Sequence, residues 1–356
     1  MSPRPPVPAQ HTVAIQQVQH ILLGARHRGV AVEPLLAAAG IAPALLDAPL
    51  ARISQRQYAL LIRVLRRRLR DELFGLLARP LPPGSFGRCM QQLVRCATLG
   101  EALREGLAQY HLLLDDFVPR LAVQGGIARL QFRLKRTPEP AGPPDPRDPP
   151  DPDQARLDYG VKAFMLMTFN AASWLVARRI PLLGVDYTAG HGSTDTSRVY
   201  QVPVRAGAAH VGLSFEARWL DLPVVQSRQS LHEFLAAAPA NLIVKYRDTS
   251  SLSDRIRRLL RKRVGGEMPS LDEVGSTLAV TPQTLRRRLR DEGRGFQQIK
   301  DETRRDAAIE LLLHTPLALP DIAARLGFSE ASTFHRAFKQ WTGVAPGEYR
   351  HAHAAA

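Results

Sequence analysis

Apolar residues recur at helical spacing over Val13 to His27 and again over Gln55 to Leu69, and predict two amphipathic helices early in the chain. The second ends in the basic run Arg66-Arg67-Arg68-Leu69-Arg70, which reads as a solvated helix face, with a second nucleic-acid contact as the other reading. Thr98-Leu99-Gly100-Glu101 has the form of a capping box and opens a helix through Leu103, Leu107 and Tyr110. The period then shortens. Phe117 to Val123 and Ile127 to Lys135 are strand-like runs separated by Gln124-Gly125-Gly126, the signal of a hairpin. Ala155 to Arg178 predicts one long helix, with Val161, Phe164, Met167 and Leu175 among its inward residues. Strand candidates follow at Pro181 to Tyr187 and Val211 to Phe215, then a helix over Leu231 to Tyr246.

Between the hairpin and the long helix, Thr137 to Asp153 holds eight prolines among acidic and small residues. Proline lacks the N–H that a sheet or helix needs, so 137–153 is expected to be a flexible Pro-rich insert at a loop tip. Asp248 to Ser251 is polar enough to serve as a hinge.

Beyond it the pattern repeats. Leu271, Val274 and Leu278 place apolar groups on one face of a short helix, and Ala279-Val280-Thr281 makes a turn. Thr281 suits an N-cap, and Pro282 suits the first helical position, where its missing N–H costs nothing. The next helix turns Leu285 and Leu289 inward and leaves Gln283, Arg286, Arg287 and Arg290 outward, with Arg288 flanking. A second unit begins at Leu319-Pro320-Asp321, with Ile322, Ala323 and Leu326 inward. Gly327-Phe328-Ser329 supplies a left-handed turn residue, an apolar plug and an expected N-cap at Ser329. The helix after it buries Phe334 and Phe338 and frees Ser332, Thr333, His335, Arg336 and Lys339, together with Ala331. Phe296 to His314 carries Ile299, Ala307, Ala308, Leu311 and Leu312 at helical spacing and predicts a rigid connection between the two units. Two helix-turn-helix units in tandem predict a DNA reader, because each braces one helix so that the next enters the major groove.

Composition modifies this picture in three ways. The formal charge of +15 suits an anionic partner, yet only +5 of it lies in 246–350 and +10 in 1–245, so local placement matters more than the total. Two cysteines, Cys89 and Cys96, make a poor metal site and read as reduced, buried thiols of a cytoplasmic protein. No apolar stretch reaches the length that spans a bilayer, so no membrane partner is expected. Gly190-His191-Gly192-Ser193-Thr194-Asp195 holds Ser, His and Asp, but without a nucleophile elbow it reads as a turn. No catalytic residue, cofactor or metal is assigned. His314 and His335 read as a helix-end residue and a phosphate contact.

The run from Ile322 through Gly327-Phe328-Ser329 to Phe334-His335-Arg336-Ala337-Phe338-Lys339, and on through Trp341-Thr342-Gly343 to Pro346-Gly347-Glu348-Tyr349-Arg350, resembles the C-terminal signature of AraC/XylS-type regulators. Phe296, Arg304, Ala308 and Leu312 are similar to that family's linker helix. Upstream, Pro83-Gly84-Ser85-Phe86, Asp158-Tyr159-Gly160 and Leu220-Asp221-Leu222-Pro223 resemble the arabinose-binding-type N-terminal domain of the ornithine-utilisation-regulator-like branch. Val199-Tyr200-Gln201-Val202-Pro203-Val204 departs from that pattern, which has Phe before the Pro-Val.

The resemblance implies an α+β effector-binding and dimerisation domain over 1–245, with mixed helices and a small antiparallel sheet. A hinge over 246–253 and an all-α DNA-binding domain over 254–350 would follow. It implies double-stranded promoter DNA and RNA polymerase as partners, a small-molecule effector, a homodimer, an activator, and a place in the cytoplasm, on the nucleoid when DNA-bound. An effector-independent or architectural DNA-binding protein is the alternative.

Overall fold

The computed structural model describes residues 12–135, 151–188, 202, 204–237, 252–266, 268–292 and 294–354. In chain order the elements are β1 (Thr12–Ala14), α1 (Ile15–His27), α2 (Glu33–Ala38), β2 (Arg52–Ser54), α3 (Gln55–Leu69), α4 (Ser85–Leu93) and α5 (Leu99–Leu113). The hairpin β3 (Phe117–Gln124) and β4 (Ile127–Leu134), the long α6 (Pro152–Leu175), β5 (Leu182–Asp186), β6 (Val204–Arg205), β7 (Val211–Glu216) and α7 (Arg228–Ala237) follow. Seven further helices complete the chain: α8 (Leu252–Lys262), α9 (Leu271–Leu278), α10 (Pro282–Asp291), α11 (Phe296–His314), α12 (Leu319–Arg325), α13 (Ala331–Thr342) and α14 (Pro346–Ala354).

These residues form two compact units, one of which joins 20–32 to 62–246. Its five-stranded sheet has the order β3-β4-β7-β5-β6. All pairs are antiparallel except β5 with β6, where Val185 lies beside Val204 in a parallel register. Alternation along the hairpin turns Phe117, Ala128, Leu130 and Phe132 inward. Phe164 of α6 meets them edge-on: its ring centroid lies 5.4 Å from Phe117, 5.8 Å from Phe132 and 4.8 Å from Tyr110 of α5. The chain before α4 is held by two carboxylates, of which Asp71 is buried. Asp71 accepts from the Leu73, Gly75 and Leu81 amides, and Glu72 accepts from Gly84 and Phe86 at the start of α4.

The other unit draws on both ends of the chain, joining the first 19 residues and 33–61 to 247–356. Here β1 and β2 pair antiparallel, Val13 opposite Ile53. The threonine hydroxyl of Thr12 donates to Asp306 of α11 at 2.5 Å, and the Tyr349 hydroxyl of α14 donates to the Arg52 carbonyl.

Several expectations shift by a few residues. The helix expected from Val13 starts at Ile15, because Thr12 to Ala14 satisfy their backbone in the ladder with β2. Of the insert over 137–153, residues 137–150 lie outside the described residues. Asp151 instead caps α6 by accepting from the Asp153 amide, and Pro152 takes the first turn, where proline costs nothing. Of the hinge over 246–253, residues 246–251 lie outside the described residues, and Leu252 and Ser253 are already helical. The helix expected over 231–246 is described as Arg228–Ala237. The Gly190 to Asp195 stretch lies outside the described residues. Cys89 is buried, whereas Cys96 is half-exposed.

Candidate nucleic-acid interface

The first reader is built on capped ends. Ser270 accepts from the Glu273 amide while the Glu273 carboxylate accepts from the Ser270 amide, a full capping box at the start of α9. Helix α9 ends at Ala279, held in the left-handed region at φ 55°, and the Val280 amide returns to the Gly275 carbonyl at 2.9 Å. A β-carbon on Gly275 would sit 2.7 Å from the Val280 carbonyl oxygen, so this tight turn needs glycine there. Thr281 then caps α10, accepting from the Thr284 amide. Leu285 and Leu289 are sealed into a core with Ile256, Leu260, Val274 and Ile299. Gln283, Arg286, Arg287, Arg288 and Arg290 are all exposed. Their three- and four-residue spacing sets Gln283, Arg286, Arg287 and Arg290 along neighbouring rows of the outer surface.

The second reader repeats the geometry with a different turn. Gly327 takes the left-handed conformation at φ 75°, and the Phe328 amide returns to the Ala323 carbonyl at 3.0 Å. Phe328 plugs the turn, 5.7 Å from Phe334 and 6.1 Å from Trp341. The N-cap falls at Glu330 and not at the expected Ser329, and its side chain makes no capping bond. Instead the Ser332 hydroxyl donates to the Glu330 carboxylate at 3.0 Å. Phe334 and Phe338 are buried, while Ser332, Thr333, His335, Arg336 and Lys339 stand exposed. The structure thus brings the first four predicted side chains together on α10 and the other five on α13.

The bridge between them is α11, whose 19 residues make about 28 Å of helix. That length is of the order of one turn of B-DNA, about 34 Å. Both readers are tied to it. Arg304 places its guanidinium over the Phe328 ring at 5.2 Å and donates to the Leu326 carbonyl. On the first reader's side, Glu302 pairs with Arg294 at 2.8 Å and with Arg257 of α8 at 3.0 Å. Burial alone would raise the Glu302 carboxyl, but Arg294, Arg257 and Arg305 reverse the shift and hold it below its ordinary value.

Glu310 on the same bridge behaves in the opposite way. Burial first, and the nearby Asp306 carboxylate second, push its carboxyl up to about 7 against a weaker pull from Arg56. One of its oxygens has no hydrogen-bond partner among the described residues, and the His314 imidazole lies 3.5 Å from the other. A carboxyl whose folded pKa is raised binds its proton more tightly when folded, so its contribution is complete below pH 4.5 and lost as pH climbs towards 7. Thermal unfolding of Glu310→Gln against the parent should therefore show a Tm advantage at pH 8 that shrinks steadily with falling pH and vanishes below pH 4.5. An equal difference at both pH values would refute the assignment.

Two contributors escaped the sequence reading. Helix α8 completes the first reader's core through Leu252, Ile256 and Leu260, a four-residue spacing that was visible in the chain. Glu292 caps that helix, accepting from the Leu252 and Ser253 amides, a contact across about forty residues that no local pattern announces. Among the described residues, no helix is long and apolar enough to cross a membrane.

Comparison with known proteins gives this architecture a family. The arabinose-binding domain of AraC transcription regulators, N-terminal, matches residues 29–224, and a helix-turn-helix domain matches 275–352. The ornithine utilization regulator of Pseudomonas aeruginosa is 27% identical over 327 residues, 91% of this chain and 92% of its own. An uncharacterized HTH-type transcriptional regulator of Mycobacterium tuberculosis is 35% identical over 146 residues, 41% of this chain and 42% of its own. Among solved structures, the transcriptional regulator CdpR from Pseudomonas aeruginosa aligns over 94% of this chain and 98% of its own, at 20% identity and a TM-score of 0.31. With the first of these domain families spanning more than half of its length and the second closing it, the chain belongs to the AraC family of transcription regulators.

Proposed function

We propose that this regulator reads promoter DNA by laying α10 and α13 into successive major grooves on one face of the duplex. The supporting observation is that both helices bury their apolar side in one compact unit and leave their polar side open. In the first reader, Gln283, Arg286 and Arg287 contact base edges, since Arg matches guanine and Gln matches adenine through paired hydrogen bonds, and Arg290 contacts phosphate. In the second, Ser332, Thr333, His335 and Arg336 face bases and Lys339 faces phosphate. Ala331 and Ser332 are short, so the second reader contributes less direct readout. Glu330 at its leading edge favours a base that offers an amino group, such as cytosine.

The rest of the reading follows the family. A small molecule bound to the N-terminal domain shifts a conformational or dimer equilibrium, and the DNA-bound homodimer recruits RNA polymerase as an activator in the cytoplasm. The expected signature of the DNA contact is specific. Arg286→Ala should cost about 1–3 kcal/mol of specific affinity and relax preference at one base pair, while leaving non-specific binding nearly unchanged. Mobility-shift titration on a selected site measures both quantities, and unchanged affinity and selectivity would remove Arg286 from the reading set.

A further inference from the structure

Helices α4, α5 and α6 enclose a narrow, partly open cleft. Its wall is apolar: Cys89 and Met90 from α4, Leu103 from α5, Met167 and Ala171 from α6. Among the described residues, no charged side chain lines it. Gly106, in the middle of α5, belongs to the same wall, and a β-carbon there would close to 3.2 Å from Leu93 and 3.6 Å from the Cys89 sulfur. Glycine inside a helix costs stability, and here it lets Leu93 and Cys89 of α4 pack directly against the α5 backbone. The two methionines are unbranched and adaptable, so the space adjusts to an occupant.

Two hydroxyl-bearing residues, Thr168 and Tyr110, are among those that line the cleft. Thr168 donates to the Phe164 carbonyl at 2.9 Å and keeps only its lone pairs for others. Tyr110 is 6% exposed, and its hydroxyl has no hydrogen-bond partner among the described residues. A buried hydroxyl left unpaired is costly and rare, which marks this atom as awaiting a partner. Burial keeps the phenol protonated at neutral pH, as it does the neighbouring Cys89 thiol, pushed up to about 12. The site therefore offers neutral walls and one free group able to donate or accept.

We propose that this cleft is the effector site and takes a neutral, mostly apolar molecule carrying a single hydrogen-bonding group, an alcohol or ketone, held by the Tyr110 hydroxyl. The proposal rests on the reading of this domain as the effector domain and narrows it. A charged amino acid would lose its hydration here with no counter-charge in return, and a sugar would leave most of its hydroxyls unpaired.

The test uses the full chain and four seven-carbon probes: 2-heptanone and 1-heptanol against heptylammonium and heptanoate, with L-ornithine and L-arabinose as polar comparators. Ligand-observed NMR and thermal shift should find saturable binding for the two neutral probes only. Tyr110→Phe should weaken that binding about five- to tenfold without lowering the Tm of the free protein. Ala171→Leu should abolish it by filling the space. Should that variant fail to fold, Gly106→Ala narrows the same wall with a single methyl group and should weaken both neutral probes. No saturable binding, preference for the charged or polar compounds, or binding unmoved by all three substitutions would overturn the assignment. A metabolite that alters promoter binding equally in the parent and in Ala171→Leu would sink this site while leaving effector control intact. Promoter binding and output that answer to no compound at all would sink both.

Discussion

Phe338→Ala is expected to remove about 3–5 kcal/mol of stability and, with it, the second reader. Phe338 is fully buried on the inner face of α13, with its ring 5.8 Å from Phe334 and edge-on to Tyr349 at 5.5 Å. Truncation removes the transfer energy of a whole ring and leaves a void that its aromatic neighbours on α13 and α14 cannot collapse into. Tyr349 in turn donates its hydroxyl to the Arg52 carbonyl of β2, so loosening the ring stack also loosens the strand pair that lies against α11. Denaturant unfolding of the full chain, with Arg336→Ala as the control on the opposite face of the same helix, measures the effect. The control should stay within about 0.5 kcal/mol of the parent. A loss below 1 kcal/mol for Phe338→Ala would mean that the stack does not hold the reader.

Arg257→Met should cost about 3 kcal/mol, by a different mechanism. The guanidinium is 5% exposed and joins Asp254 of its own helix to Glu302 of the bridge. Its removal leaves two carboxylates in a poorly solvated place, and Arg294 alone stays paired with Glu302. Replacing both partners, as in Arg257→Met with Glu302→Leu, should cost less than the sum of the single changes, because both ends of the Arg257–Glu302 pair are then removed together, although Asp254 and Arg294 each still lose a partner. The pH dependence has a defined sign. The folded Glu302 carboxyl lies below its ordinary value of 4.5, so its stabilisation is present above pH 4.5 and is lost as pH falls through the folded value. Acid unfolding of the parent should be steeper than that of Glu302→Gln. Additive losses in the double variant, or identical acid limbs, would contradict the network.

Much of this architecture was written locally in the chain. Pro282 behind Thr281 marked the start of α10, and the spacing of Ile299, Ala308 and Leu312 marked α11 from Phe296 to His314. The glycine-rich break between two alternating runs marked the hairpin within a residue of its ends. What escaped depends on distant partners. A three-residue strand such as Thr12–Ala14 has no periodicity to read, and only its pairing with Arg52–Ser54 defines it. The same holds for Thr12 on Asp306 and for Glu292 capping α8, contacts set by packing across most of the chain or across forty positions. The Ser329 cap was missed by one residue, because Ser and Glu both precede the helix and only the backbone angle of Glu330 decides between them.

The exposed polar residues of α10 and α13 were legible because packing makes no demand on them. In the sequence, Tyr110 and Met167, with His111, Phe164 and Trp174, suit an apolar ligand pocket and plain core equally well. That Tyr110 and Met167 border a cleft, while Phe164 fills the core and Trp174 stacks on Phe234 at 4.3 Å, emerges from packing alone.

Base-preference profiling of the full-length protein beside Arg286→Ala and Arg336→Ala, by selection from a randomised duplex, reaches the heart of the matter. Two readers on one bridge predict that each substitution relaxes a separate cluster of base pairs, with the clusters about one helical turn, roughly 10 base pairs, apart on the same face. Relaxation of the same cluster by both substitutions, or unaltered profiles, would contradict the tandem-reader interface.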